Sequence, residues 1–310
     1  MAYLASSADP EANYRNDAFI HYMTGLFYEA TGELNDAYVS YVNAVKAYEF
    51  YEMAFELPPP KSLKSDIIRV DRALHRSVTP HIRFASATLD DLDTASRNGE
   101  LVLFSEIGFV PRKAEQEIDL PLFSNDIEWK DKHQIEKLSR KVARRYQAPH
   151  PHYREVEYWI RVAIPTYIEL EPRTRFVRLS AAGRSAQSVP AEDLAAIARL
   201  TFKDKQPAIL SKTVARGLTK YFVTRGAKRK NKLLGFFANL FAAGTEVADT
   251  RSWVSLPHNI QISRLAIPPG VHDVKVEALD IHGSVITERM FSGIEVQPGA
   301  RTFLNFRTFN

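Results

Sequence analysis

The chain has 310 residues, of which 45% are hydrophobic and 25% charged, with 41 basic against 37 acidic side chains. That is enough apolar content for two compact domains, and it excludes an intrinsically disordered chain. With no cysteine, disulfides, thiolate nucleophiles and cysteine metal sites are excluded, and a net charge of +4 is too mild to imply nucleic acid.

Met1 to Ser7 carries neither the basic nor the apolar region of a signal peptide. From residue 17 the pattern turns helical. Phe19, Tyr22, Met23, Leu26 and Phe27 recur at spacings of three and four, Gly32 breaks the run, and Ala37, Tyr38, Tyr41, Val42, Ala44, Val45 and Tyr48 restart it. This predicts a helical hairpin with a tight turn. Gly25 and Ala37 let the two helices approach, while Tyr28 and Tyr41 fill the groove beside them. The set Gly25, Tyr28, Gly32, Ala37, Tyr41 and Ala44 resembles one copy of a tetratricopeptide repeat. His21 and Glu49 stand where that repeat usually carries tryptophan and proline. The resemblance implies a module that binds protein segments, so the aromatic stripe reads either as a peptide groove or as buried core. Leu57-Pro58-Pro59-Pro60 ends the second helix. A third follows on Leu63, Ile67, Ile68, Val70 and Leu74, and a polar link spans Asp90 to Glu100.

Strands follow. Leu101 to Phe104 and Ile107 to Lys113 form apolar runs, and Ile118, Leu120 and Leu122 alternate. A surface helix fits 128–146. Tyr158 to Ile164 reads as a strand ended by Pro165, and Phe176 to Leu179 as another. Ser188 or Val189, ahead of Pro190, looks like a helix start. Residues 207–243 form the longest helical candidate. From Trp253 the tail is β-rich, with turns at Pro268-Pro269-Gly270, Asp280 to Gly283 and Gln297-Pro298-Gly299. The expected fold is therefore α+β. A tetratricopeptide-like helical domain covers 1–95, and a β-rich domain covers 96–310. The latter holds an antiparallel sheet or sandwich and a helical insert at about 190–245.

Four stretches in combination carry a second resemblance: Asn35 to Tyr41, Gly99 to Phe104 with Gly108 to Lys113, Ala248 to Trp253 with Leu256-Pro257, and Pro268-Pro269-Gly270. Together they resemble a family of uncharacterised bacterial envelope proteins, often lipoproteins. That resemblance implies a location in the cell envelope facing the periplasm, and it implies no chemistry. The residues themselves leave a cytoplasmic location open.

Three constellations are candidate sites. Asp249, Arg251 and Trp253 would share one face of a strand, where acid and guanidinium could pair beneath the indole. This is either a ligand site or, as favoured, a buried structural clamp. Lys228, Arg229, Lys230 and Lys232 abut Phe236, Phe237, Leu240 and Phe241. That basic-aromatic segment, 225–241, reads as core of the back module or as a contact with a membrane surface or a partner protein. His150 and His152, with Glu155 and Glu157 nearby, lack the spacing of a zinc site and read as a stiff loop. Phosphate-binding glycine loops and a nucleophile elbow are missing. The sequence thus predicts no enzyme, no cofactor and no metal, and a non-enzymatic scaffold or adaptor for protein partners. A peripheral membrane protein, and an enzyme acting near Asp249 and Arg251, are the alternatives.

Overall fold

The structure is a computed structural model that describes residues 17–75, 98–123, 137–142, 144, 156–226, 251 and 253–310. The fold is α+β. The chain forms two compact units: the first takes its residues from 1–110, 170–197 and 255–310, the second from 111–169 and 198–254. This differs from a division near residue 95. The front helices and the tail strands belong to one unit, because the apolar face of the hairpin is covered by a sheet.

In the first unit α1 (Ala18–Ala30) and α2 (Leu34–Phe55) make the expected hairpin, and α3 (Lys61–Ala73) follows the proline run. Asp17 caps α1 by accepting from the Ile20 N–H at 2.8 Å. At its other end Gly32, at φ +83°, takes the left-handed position that lets the Glu33 N–H reach the Tyr28 carbonyl at 2.8 Å. On α2, Ala37, Tyr41 and Ala44 have no exposed surface.

Two four-stranded sheets complete this unit. One has the order β10–β1–β7–β6, built from β1 (Gly99–Ile107), β6 (Val189–Glu192), β7 (Asn259–Ile267) and β10 (Arg301–Thr308). The other has the order β5–β4–β8–β9, built from β4 (Phe176–Ala181), β5 (Arg184–Gln187), β8 (Gly270–Leu279) and β9 (Val285–Val296). Strand alternation sends Leu101, Leu103 and Ile107 of β1 into one cluster with Val177, Leu179, Val274 and Val276 of the second sheet. Val102 and Phe104 point the other way, into a cluster with the helices. The result is three layers: helices, sheet, sheet. Both faces of β1 are covered, which explains its nearly unbroken apolar run. An aromatic patch seats α1, with Phe27 4.8 Å from Phe303 and Phe19 edge-on to Phe104 at 5.8 Å.

Two local expectations are corrected. Ser188 does not start a helix. Its hydroxyl accepts from the Val177 N–H at 2.8 Å and donates to Gln261, and residues 189–192 form β6. The helix α4 (Leu194–Gly226) begins later, where the Asp193 carboxylate accepts from the Ala196 N–H at 2.8 Å. Asp193→Ala is expected to cost about 1 kcal/mol, the usual worth of an N-cap; chemical denaturation followed by circular dichroism measures it.

The second unit pairs β2 (Arg112–Phe123) with β3 (Val156–Ile168) in an antiparallel ribbon. Pro165 does not end β3. A two-stranded ribbon has a free edge along each strand, where a proline without an N–H is tolerated. Ile118, Leu120, Ile160, Val162 and Ile164 face Leu210, Val214 and Leu218 of α4, with Leu138 and Val142 from the helical stretch 137–142. A Cβ at Gly217 would lie 2.6 Å from Ile160 Cγ2 and 2.9 Å from Val162 Cγ1. Gly217→Val is accordingly expected to lose about 1–3 kcal/mol through overpacking, read as a lower midpoint in urea.

Candidate functional site

A buried charged centre lies between the helices and the first sheet. Its geometry follows from periodicity. On α3, Leu63, Asp66, Ile67 and Val70 share the inward face at spacings of three and four. On β1, Glu100 alternates with Val102 and Phe104 toward the helices. Arg301 of β10 stands opposite Glu100 in the parallel register, and Arg264 of β7 stands opposite Val102 in the antiparallel one. Glu29 and Tyr22 come from α1, Tyr41 from α2 and Arg69 from α3.

Asp66 has no exposed surface and sits at the middle. Its Oδ2 accepts from the Tyr22 hydroxyl at 2.9 Å and from Arg264 Nη1 at 2.5 Å. Its Oδ1 accepts from Arg301 Nη2 at 3.2 Å and from Arg69. Glu100 takes Arg264 in a fork, at 2.7 Å from Nε and 2.6 Å from Nη2, and accepts from Arg301 Nε at 3.1 Å. Glu29 accepts from Arg69 Nε at 2.6 Å, Tyr41 at 2.6 Å and Arg301 Nη1 at 2.9 Å. Tyr22 is also 2.7 Å from the Ser62 hydroxyl.

Three carboxylates thus meet three guanidiniums and cancel in charge. Burial pushes Glu29 and Glu100 above the usual carboxylate range, with Arg301 pulling Glu29 down and Arg264 pulling Glu100 down. Burial works against the charge of Arg264, but Asp66, Tyr22 and Glu100 outweigh it and hold that guanidinium charged. For Glu29 and Glu100 burial wins, and for Arg264 and Arg301 the ion pairs win. The short forked contacts fit ionised partners on both sides. Burial and Asp66 also raise the Tyr22 phenol, keeping it a neutral donor. Chemically the arrangement does one thing well: it fixes α1 and α3 over β1, β7 and β10. Its groups face one another rather than an open cleft. An open depression of about 300 Å³ in the same unit is lined by Glu171, Pro172, Arg173, Arg175, Asp280 and Ile281, with Arg175 held by Glu171 at 3.2 Å.

The sequence candidates fall elsewhere. Gly25, Tyr28, Gly32, Ala37, Tyr41 and Ala44 all lie on the hairpin; Tyr28 is half-buried and Gly32 is exposed in the turn. Arg251 and Trp253 lie outside any strand, Arg251 is exposed and Trp253 is 73% exposed, so these two are not the buried strand residues expected of a clamp. Strand geometry begins only at Asn259, after the turn around Ser255 and Leu256. Asp249, the histidines His150 and His152, and the segment with Lys228, Arg229, Lys230, Lys232, Phe236, Phe237, Leu240 and Phe241 lie outside the described residues.

Against known protein families, curated proteins and solved structures, the chain finds no match. Sequence reading missed Asp66, Glu100, Arg264 and Arg301, although each interrupts an apolar pattern. Asp66 falls on the Leu63–Ile67–Val70 stripe. Glu100 precedes Val102 and Phe104 on one strand face. Arg264 continues the Ile260–Ile262 alternation. Two acids and two bases at core positions were a signal for mutual pairing.

Proposed function

We propose that this protein is a non-enzymatic scaffold or adaptor that binds protein partners in the cell envelope. The observation that supports it is the saturation of the charged centre. Asp66 receives four donors, and the Nε, Nη1 and Nη2 groups of Arg264 and Arg301 are directed at carboxylates or Tyr22. Residues of the types that serve catalysis are thereby used to fix a helical hairpin to a sheet. A rigid hairpin of this kind agrees with the tetratricopeptide-like spacing of Gly25, Ala37, Tyr41 and Ala44, and so with protein binding. The outer face of α2 carries Met53, 79% exposed, and Val39, 55% exposed, about four turns apart. The envelope resemblance supports the compartment. Among the described residues no helix is long and apolar enough to cross a membrane.

The test is reciprocal capture. The full tagged chain, cross-linked in envelope preparations, is expected to recover one protein in stoichiometric amount. Tagging that protein is expected to recover the chain, and the Val39→Asp/Met53→Asp double variant is expected to lose the capture while keeping its circular dichroism. Failure of reciprocal recovery, or capture unaffected by the double variant, would count against the proposal.

A further inference from the structure

A second buried acidic group has no such arginine. Glu192 ends β6 with 1% exposure, and among the described residues neither of its buried carboxylate oxygens completes a hydrogen bond, although the Tyr51 hydroxyl and the Phe19 N–H approach the group. Asp17, the cap of α1, faces it. So does Tyr51 of α2, with Tyr48 on the same helix, whose hydroxyl donates to the Ala191 carbonyl at 2.8 Å. From the sheet, Glu192 stands opposite Ile260 of β7, which adds no charge. Asp193, next in the chain, is turned to cap α4. Among the described residues the basic group facing the pair is His21, beside Asp17, and burial pushes it toward its neutral form. In the charged centre every carboxylate meets a guanidinium. Here two carboxyls meet each other.

Two carboxylates in contact, Glu192 buried and Asp17 half-buried, do not both ionise. Asp17 already uses Oδ1 for the Ile20 N–H. We propose that Asp17 and Glu192 hold one proton between them, and that this proton latches the first turn of α1 onto β6. With the proton in place the carboxyls form a hydrogen bond across the two elements. Without it they repel, and the turn lifts. No other atom is exchanged: the proton passes to solvent.

The direction with pH follows. Burial first, then the charge of Asp17, raises Glu192 well above its ordinary value of 4.5. A group raised on folding gives stabilisation that is complete below its unfolded value and is lost as pH climbs through the folded one. The latch is therefore closed in mild acid and opens toward alkaline pH.

Amide hydrogen exchange on the full chain, corrected for the intrinsic pH dependence, tests this at Ile20 and His21, with Ala44 on α2 as the internal reference. In the wild type, protection at Ile20 and His21 relative to Ala44 is expected to fall about tenfold per pH unit above the folded pKa. In Glu192→Gln it is expected to stay level, and likewise in Asp17→Asn, which keeps a capping side chain. A level wild-type profile from about pH 5 to about pH 9, or variants that follow the wild type, would overturn the proposal. Should both variants fail to fold, carbon-13 spectra of the wild-type side-chain carboxyls decide. A carboxyl assigned to Glu192 or Asp17 and still in its protonated position at neutral pH supports the shared proton, and neither in that position refutes it; the assignment sets aside Glu29 and Glu100, which burial also raises.

Discussion

Asp66→Ala is expected to lower the stability of the first unit by about 3–5 kcal/mol, the usual cost of removing one partner from a buried ion pair. The carboxylate has no exposed surface and receives Tyr22, Arg69, Arg264 and Arg301. Its removal leaves two nearly buried guanidiniums, 12% and 8% exposed, with one acceptor fewer each. Against a total of roughly 5–15 kcal/mol, that loss brings the unit close to unfolding. Urea denaturation followed by near-ultraviolet circular dichroism reads it, because Tyr22, Tyr41, Tyr48 and Tyr51 are all buried in this unit. A control separates charge from packing. Asp66→Leu combined with Arg264→Met removes one charge of each sign, and it is expected to be less destabilised than Asp66→Leu alone. Apolar groups of similar volume can replace a buried pair at little cost, whereas an orphaned charge cannot be accommodated. A double variant as unstable as the sum of its parts would show that the pair does not act as a unit.

Most of the elements were legible in the sequence, since each rests on local periodicity. The hairpin with its break at Gly32, the third helix after Pro60, β1 and the last four strands with their Pro-Gly turns all follow from spacing and turn chemistry. Errors came where a local signal was overruled at a distance. Ser188 ahead of Pro190 looks like a cap, yet its hydroxyl is held by Val177 and Gln261 from other strands. Pro165 looks like a strand end, but it is paired with Glu115 inside a continuous two-stranded register. The two compact units likewise differ from a division near residue 95. The Tyr22–Leu26–Tyr48 face of the hairpin is closed by Val102, Phe104 and Ile262, which lie beyond that division in the chain.

The candidate site was less legible than the fold. Asp249, Arg251 and Trp253 are adjacent in sequence, so they are easily noticed together. Glu29, Asp66, Glu100, Arg264 and Arg301 come from five elements and lie up to 272 positions apart, from 29 to 301. Nothing in a single sequence links them except that each breaks an apolar pattern. The same holds for Asp17 and Glu192, which lie on two elements far apart in the chain. Isolated charges at core positions are thus a better guide to a buried network here than clusters of charge on exposed chain.

Gly25→Leu is expected to destabilise the hairpin strongly. By helix propensity alone, replacing a mid-helix glycine should stabilise by up to about 1 kcal/mol. The packing reverses the sign. A Cβ at Gly25 would lie well inside van der Waals contact of Tyr41 Cδ1 and Cε1, and 3.1 Å from its Cγ. The ring cannot retreat, because it has no exposed surface, its hydroxyl is held by Glu29 at 2.6 Å, and Tyr22 packs 6.0 Å away. Overpacking of a single methyl typically costs about 1–3 kcal/mol, and leucine adds three further carbons to the same space. A displaced Tyr41 would also leave Glu29 one donor short. Gly25→Ala is therefore expected to lose stability in spite of its better helix propensity, and Gly25→Leu to lose more. Tyr41→Ala should restore part of the loss in Gly25→Leu by opening the groove, although Tyr41→Ala alone costs about 3–5 kcal/mol, as for other large aromatic truncations. A Gly25→Ala variant more stable than wild type in urea would mean that the helices separate to admit the methyl group. The close approach at Gly25 would then not be what sets the geometry of the hairpin.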